Sequence, residues 1–96
     1  PPAPDIYIAT IGENALAYAQ KLVHKLRKYN VAAETDLMGR SLKAQMKYAD
    51  KKGFSYTVVL GDEEIEHGKT VLKDMRTGEQ KDVSLDSIVD RLKNRI

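Results

Sequence analysis

The sequence contains no cysteine, which excludes a disulfide framework, a thiolate nucleophile and a thiolate metal site. This absence is compatible with a reducing compartment. No apolar run approaches the roughly 20 residues that a helix needs to span a bilayer, and no signal-peptide pattern is present. We therefore expect a globular domain that does not enter a membrane.

Motifs of independent catalysis are also missing. The two histidines, His24 and His67, have no nearby ligand at the spacing of a metal site. There is no G-x-S-x-G motif and no P-loop lysine, and Gly12 alone is not a dinucleotide fingerprint. Carboxylates are abundant in residues 62–66, but no partner residues suggest acid–base catalysis. An exposed acidic cluster at the start of a helix, favoured by the helix dipole, is the simpler interpretation. We expect this chain to hold no metal, no cofactor and no catalytic residue.

Charge is distributed unevenly along the chain. Its 96 residues form one domain of ordinary composition, 42% hydrophobic and 31% charged, with a net charge of only +2. Residues 21–52, however, carry nine Lys or Arg against three Asp or Glu, whereas residues 61–90 carry four against nine. A polyanion would prefer the first segment, and the second could supply hydrogen-bond acceptors. The asymmetry permits nucleic-acid binding but does not require it.

The first half of the chain alternates predicted strands and helices. Residues 5–9 and 56–60 are apolar runs typical of buried strands, and residues 31–36 alternate as in a strand near a sheet edge. A helix is predicted to begin at a capping box formed by Thr10 and Glu13 and to continue to about residue 29. Its apolar stripe consists of Ala15, Ala19, Leu22, Val23 and Leu26. Right-handed crossovers would make these three strands parallel.

The second half predicts a short helix, a hairpin and a last helix. Residues 61–68 form an acidic turn of helix between two glycines. Strands at 70–75 and 79–83 are joined through Gly78, which suits a bulged hairpin, and the polar second strand should lie at an edge. Ser84 is placed to cap a helix whose apolar face is Leu85, Ile88, Val89, Leu92 and Ile96. The prediction is an α/β fold with a mixed five-stranded sheet and three main helices.

The stretch at residues 36–53 combines a glycine turn with a basic amphipathic helix. Gly39 tolerates a positive φ, Ser41 can cap the helix, and Gly53 suits its C-terminal end. One face carries Leu42, Met46 and Ala49. Another carries Arg40, Lys43, Lys47 and Lys51. The basic face could accept a polyanion, and the alternative is a solvated lysine stripe.

Five segments of the chain carry more specific information: I-A-T-I-G-E at 8–13, D-L-M-G-R-S-L-K at 36–43, M-K-Y-A-D-K at 46–51, V-L-G-D-E-E at 59–64 and L-K-D-M-R-T-G-E-Q at 72–80. In this order and spacing they resemble the C-terminal anticodon-binding domain of histidyl-tRNA synthetases. The resemblance implies a three-layer α/β/α domain over residues 5–96, with strand order 2-1-3-4-5 and an antiparallel fourth strand. Residues 1–4 would be a linker remnant.

The resemblance also implies a function, namely recognition of the histidine tRNA anticodon loop by unstacking its bases against the sheet. Carried over by position, the RNA-binding candidates are Met38, Gly39, Arg40, Lys43, Lys47, Glu64 and Lys73. The parent would be a cytoplasmic, homodimeric histidine–tRNA ligase. Its catalytic domain, in the same chain, would use ATP and magnesium. The 96-residue piece lacks that domain and is expected to be inactive alone.

A second function stays open at this point, a regulatory or protein-interaction module of a synthetase-like paralogue on the same fold. The two functions predict different surfaces. An RNA-binding module should show steep salt dependence, whereas a protein-docking face should expose an apolar patch. The sequence offers a basic stripe and no obvious spare apolar stripe, which favours RNA.

Overall fold

A mixed sheet of five strands organises the chain, with helices on both of its faces. The computed structural model describes residues 3–94. In chain order the elements are β1 (Ile6–Thr10), α1 (Glu13–Arg27), β2 (Ala33–Thr35), α2 (Leu42–Lys52), β3 (Tyr56–Leu60), α3 (Asp62–His67), β4 (Lys69–Asp74), β5 (Gln80–Ser84), a 3-10 turn (Leu85–Ser87) and α4 (Ile88–Lys93). None of the helices in this described range is long and apolar enough to cross a membrane.

The strands lie in the order β2-β1-β3-β4-β5. β1 pairs in parallel with β2 and β3, whereas β4 is antiparallel to both β3 and β5. The predicted order and the antiparallel fourth strand are therefore confirmed. β5 forms one edge of the sheet, as its polar sequence predicted, and its residues Gln80, Lys81 and Asp82 are exposed.

The two faces of the sheet bury clusters of different size. β1 contributes to both, because strand side chains alternate: Ile6 and Ile8 belong to the larger cluster, Tyr7 and Ala9 to the smaller. The larger cluster packs against α1 and α4, and it includes the whole predicted stripe of α1, namely Ala15, Ala19, Leu22, Val23 and Leu26. The smaller cluster packs against α2. This arrangement confirms the predicted α/β/α layers.

The start of α1 differs from the prediction. Thr10 does not cap the helix, because β1 continues through this residue, which pairs with Leu60 of β3. The helix begins instead after Gly12, whose φ of 90° lies in the left-handed region, and no side chain caps its first N–H groups. At its other end α1 stops at Arg27, before the predicted end near residue 29.

The last helix also begins later than predicted. Ser84 ends β5, and its side chain makes no capping hydrogen bond; its carbonyl accepts one from the Ser87 hydroxyl at 2.8 Å. A 3-10 turn comes first, and α4 starts only at Ile88. The predicted apolar face is buried at Leu85, Ile88 and Leu92. The contribution of Ile96, like the first two residues of the predicted linker, lies outside the described residues.

Gln45 on α2 is fully buried, although its sequence context is that of an exposed polar residue. β2 ends at Thr35, which pairs with Ile8, so the backbone of Thr10 has no partner on the β2 side. The Gln45 amide fills that place. Its Oε1 accepts a hydrogen bond from the Thr10 N–H at 2.9 Å, and its Nε2 donates to the carbonyls of Thr10 and Arg40, each at 2.9 Å. One side chain thus acts as a short substitute for a strand.

We expect Gln45→Met to lower the free energy of unfolding by about 3 kcal/mol, because three hydrogen bonds are lost and buried backbone groups are left unpaired. The measurement is urea unfolding of the domain. Gln20→Met is the matched control, since Gln20 is an exposed glutamine on α1, and it should change stability by less than about 0.5 kcal/mol. Equal stabilities for the two variants would contradict the role assigned to Gln45.

Candidate nucleic-acid interface

The sheet face beside α2 is open over β3, β4 and β5. α1 and α4 cover the opposite face, and α2 packs on the smaller cluster around β1. A groove of about 740 Å³ lies over the uncovered strands, with Met46 of α2 and Glu64 of α3 among its lining residues. The fold therefore places a concave surface between two helices and the end of the sheet.

The floor of this groove follows from strand register. Side chains of a strand alternate between faces, and cross-strand partners share a face. Thr57 of β3 pairs with Lys73 of β4, and Lys73 pairs in turn with Gln80 of β5. Two residues earlier on β4, Val71 pairs with Asp82. The predicted RNA-binding residue Lys73 therefore lies in the middle strand of the open face.

The groove combines apolar surface with polar groups. Val71 is 40% exposed, and Val59 and Met46 are half-buried. Lys73 is half-buried and takes part in none of the ion pairs found within residues 3–94. An unstacked nucleobase has an apolar face and hydrogen-bonding edges. The groove has the chemistry to receive one.

Glu64 has one carboxylate oxygen fixed by the fold. Its Oε1 accepts a hydrogen bond from the backbone N–H of Gly61 at 2.7 Å, at the start of α3. A Cβ at Gly61 would lie 3.1 Å from this oxygen, so glycine allows the close approach. The other oxygen has no donor within the described range. The structure thus brings Glu64 and Lys73, both predicted from the family resemblance, to the same groove.

The loop between β2 and α2 is closed by a buried carboxylate. Asp36 is only 2% exposed, although the alternating pattern of this strand placed it on the polar side. Its Oδ1 accepts hydrogen bonds from the Met38 N–H at 3.2 Å and from Arg40 Nε at 2.9 Å, and its Oδ2 accepts one from the Arg40 N–H at 2.6 Å. The Arg40 guanidinium also lies 4.9 Å from the centre of the Tyr48 ring.

This environment shifts the ionisation of the groups around Asp36. Burial opposes the charged form, but the hydrogen bonds from Arg40 and Met38 outweigh it and hold the pKa of Asp36 below its usual value. The bond to Asp36 raises the pKa of Arg40. The neighbouring Tyr7 hydroxyl is buried without a hydrogen-bond partner in the described part of the chain. Burial, with the Asp36 charge, raises the pKa of Tyr7 to about 12.

Arg40 is therefore separated from the lysines of the predicted basic face. It precedes α2, and its side chain, 36% exposed, is bonded to Asp36 and lies over the Tyr48 ring, so it does not share the helical face of the lysines. Its RNA contact stays a prediction. Lys43 and Lys47 are exposed on α2, as predicted. Lys43 lies one turn before Met46, which places it on the groove side of the helix. The hydroxyl of Tyr48 faces the other way and donates to Glu34 of β2 at 2.8 Å.

The ends of α2 and the tip of the loop match the local predictions. The Ser41 hydroxyl accepts a hydrogen bond from the Ala44 N–H at 3.2 Å, and Gly53 has a φ of 78° at the C-terminal end. Gly39 has a φ of 70°. Beside it, Leu37 and Met38 are 70% and 78% exposed. Met38 is one of the predicted RNA-binding residues, whereas the exposure of Leu37 was not predicted from the sequence.

Comparison with known proteins identifies the family. Residues 5–95 match the family described as Anticodon binding domain. The chain belongs to this family. The relatives of this anticodon-binding domain include the histidine–tRNA ligase of Acetivibrio thermocellus, which is 63% identical over 90 residues. That match covers 94% of this chain and 22% of the relative, so the chain spans about a fifth of the ligase.

Solved structures give the same result. The apo histidyl-tRNA synthetase of S. aureus matches this anticodon-binding domain with a TM-score of 0.92 and 41% identity, over 95% of this chain and 23% of that one. The RNA binding domain of threonyl-tRNA synthetase from Cryptosporidium parvum has a TM-score of 0.81 at 18% identity, over 94% of this chain and 23% of that one. The second likeness shows a shared fold. The family resemblance found in the sequence is confirmed.

The Asp36 contacts generate a pH-dependent prediction. Asp36→Asn keeps the size of the side chain and removes its charge, so we expect a loss of about 1.5–3 kcal/mol in unfolding free energy at pH 7. Because the folded pKa of Asp36 is lowered, this stabilisation is present above the unfolded pKa of about 3.9 and is lost as the pH falls through the folded pKa.

The difference between wild type and variant should therefore be constant near neutral pH and should shrink below about pH 4. Urea unfolding from pH 7 to pH 3 measures it. Asp50→Asn, at an exposed position of α2, is the control and should change stability little at any of these pH values. A difference for Asp36→Asn that persisted undiminished at pH 3 would argue against an ionised, hydrogen-bonded Asp36.

Proposed function

We propose that this chain is the tRNA anticodon-recognition module of a histidine–tRNA ligase. The observation that carries the proposal is the open sheet face, where Glu64 and Lys73 line one groove beside the basic helix α2. Membership of the anticodon-binding domain family supports it, as does the 63% identity to a histidine–tRNA ligase.

In this proposal an unstacked anticodon base enters the groove. The apolar surface of Val59, Val71 and Met46 receives the face of the base, as apolar and aromatic side chains do in single-strand recognition. The free oxygen of Glu64 accepts hydrogen bonds from the ring N–H and exocyclic amine of a guanine. Lys73 offers only donors, which suit a base carbonyl or a phosphate. The two residues thereby divide recognition between them.

Lys43 and Lys47 would contact the RNA backbone. Both are exposed on α2, and neither is held in an ion pair of the described range. Lysines in such positions neutralise phosphates and add affinity without reading sequence. Met38 and Gly39 lie in the preceding loop, where Met38 would contribute apolar contact and Gly39 the turn.

The catalytic steps belong to the rest of the ligase. We propose that the whole protein attaches histidine to its tRNA in the cytoplasm, that it uses ATP and magnesium in a catalytic domain, and that it acts as a homodimer. Within residues 3–94 there is no group of three His, Cys, Asp or Glu side chains that could hold a metal ion. The proposed contribution of this domain is tRNA binding and discrimination.

A protein-interaction module is the second candidate, and one observation favours it. Leu37 and Met38 expose 70% and 78% of their surfaces, and Ile11, in the loop after β1, exposes 50%. Exposed apolar side chains are a feature of docking surfaces. The groove chemistry and the free lysines of α2 favour RNA, and the salt dependence described below separates the two candidates.

Glu64→Gln tests base recognition in the whole ligase. Glutamine retains an oxygen for the Gly61 N–H but replaces one acceptor in the groove with a donor. The measurement is the ratio of kcat/KM for tRNA with the cognate anticodon to kcat/KM for a guanine-to-adenine variant. We expect this ratio to narrow, by an amount equivalent to about 1–3 kcal/mol of discrimination. Glu63→Gln is the control, since Glu63 is exposed and does not line the groove. An unchanged ratio would mean that Glu64 serves only the start of α3.

Lys43→Gln and Lys47→Gln test the phosphate contacts. Each should reduce the slope of log affinity for tRNA against log salt by roughly 0.7, equally for cognate and non-cognate anticodons. Lys28→Gln, an exposed position just after α1 and on the other side of the sheet, should leave the slope unchanged. If Lys43→Gln and Lys47→Gln also leave the slope unchanged, the lysines of α2 form a solvated stripe that does not contact the RNA.

A further inference from the structure

We propose that Asp36 and Arg40 form a clasp that fixes residues 37–39 for contact with an unstacked base, and that Arg40 is a positioning residue and not a phosphate contact. The proposal deepens the proposed function and rests on it. It also changes the assignment of Arg40, which the sequence grouped with the exposed lysines.

The clasp consists of three hydrogen bonds to one carboxylate. Asp36 accepts from the backbone N–H groups of Met38 and Arg40 and from the Nε of Arg40, at 3.2, 2.6 and 2.9 Å. Both oxygens are used. The bonds join the first and last residues of the loop, so its backbone path is set before any ligand binds.

Burial makes the ion pair obligatory. The Asp36 side chain is 1% exposed, whereas that of Arg40 is 36% exposed. A buried carboxylate is costly unless a cation and hydrogen bonds compensate it, and Arg40 supplies both. The guanidinium is placed further by the Tyr48 ring, whose hydroxyl is bonded to Glu34. The charge of Arg40 is already neutralised by Asp36 at short range. Arg40 should therefore neutralise no RNA phosphate and release few counterions when RNA binds.

A second anchor holds the same loop. The carbonyl of Arg40 accepts a hydrogen bond from Gln45 Nε2 at 2.9 Å, and Gln45 is itself bonded to Thr10 at the end of β1. The loop is thus tied both to Asp36 and to the central strand.

What this loop presents is apolar. Leu37 and Met38 are held 70% and 78% exposed, at the start of the basic helix that carries Lys43 and Lys47. A nucleobase attached to a phosphate backbone matches both features, because its face is apolar and its backbone is anionic. Fixing the loop in advance lowers the ordering cost of binding.

The test measures tRNA affinity and its salt slope for variants of the whole ligase. Asp36→Asn and Arg40→Gln should each weaken binding by about 3- to 10-fold, as expected for loss of pre-organisation, with the salt slope unchanged. Lys43→Gln should reduce the slope by roughly 0.7. The double variant should be no weaker than either single one, because both remove the same clasp. A merely structural role would change unfolding free energy without this pattern in affinity.

Met38→Ser keeps the proposal testable if the clasp variants fold poorly, since Met38 is exposed and adds little to the core. It should weaken tRNA binding by about 3- to 10-fold at constant slope. Tyr29→Ser, at an exposed residue that stacks with Lys93 near the end of α4, is the matched control and should leave affinity unchanged.

Three results would overturn the proposal. A slope reduced by roughly 0.7 in Arg40→Gln would make Arg40 a phosphate contact. Normal affinity in Asp36→Asn or in Met38→Ser, with Lys43→Gln and Glu64→Gln still impaired, would overturn the clasp alone. Normal affinity in all of these variants would overturn the clasp and the proposed function together.

Discussion

The buried amide of Gln45 determines where α2 lies. It pairs with both backbone groups of Thr10 and with the carbonyl of Arg40, and so joins the end of the central strand to the start of the helix. The apolar cluster on this side of the sheet is small, with Tyr7, Ala9, Ala49 and Phe54 as its buried members. The hydrogen bonds of Gln45 therefore provide stability on this face that apolar packing provides on the other face. The position of the loop and of one wall of the groove follows from it.

The two faces of β4 and β5 carry different side chains. One face packs against the larger core, and the other, open face mixes apolar and charged side chains. On β4, Leu72 packs against the larger core, whereas Val71 and Lys73 face the open side. β5 has one buried residue, Val83. A face that mixes apolar and charged side chains is stable in water without a covering helix, and it still offers apolar contact to a ligand.

Features that depend on neighbours along the chain could be predicted from the sequence. The stripe of α1 and the ends of α2 at Ser41 and Gly53 are of this kind, since their determinants lie within a few residues. The roles of Gln45, Asp36 and Thr10 could not be predicted, because periodicity assigns polar residues to exposed faces or caps. Their partners come from the fold: Gln45 meets a residue 35 positions away. Of the groove residues, Glu64 and Lys73 came from family resemblance, whereas Met46, Val59 and Val71 were not predicted, since spacing alone does not reveal which strands pair.

The polar sequence of β5 has a further consequence for a domain that keeps one sheet face uncovered. An exposed edge strand presents unpaired backbone groups, and an apolar face beside it would invite two molecules to join their sheets. Here Lys81 and Asp82 stand on successive positions of that edge, one on each face, and both are exposed. Bringing two such edges together would remove these charged side chains from water. The charged edge thus disfavours pairing between the sheets of two molecules, while the open face beside it remains accessible to a flexible, anionic ligand.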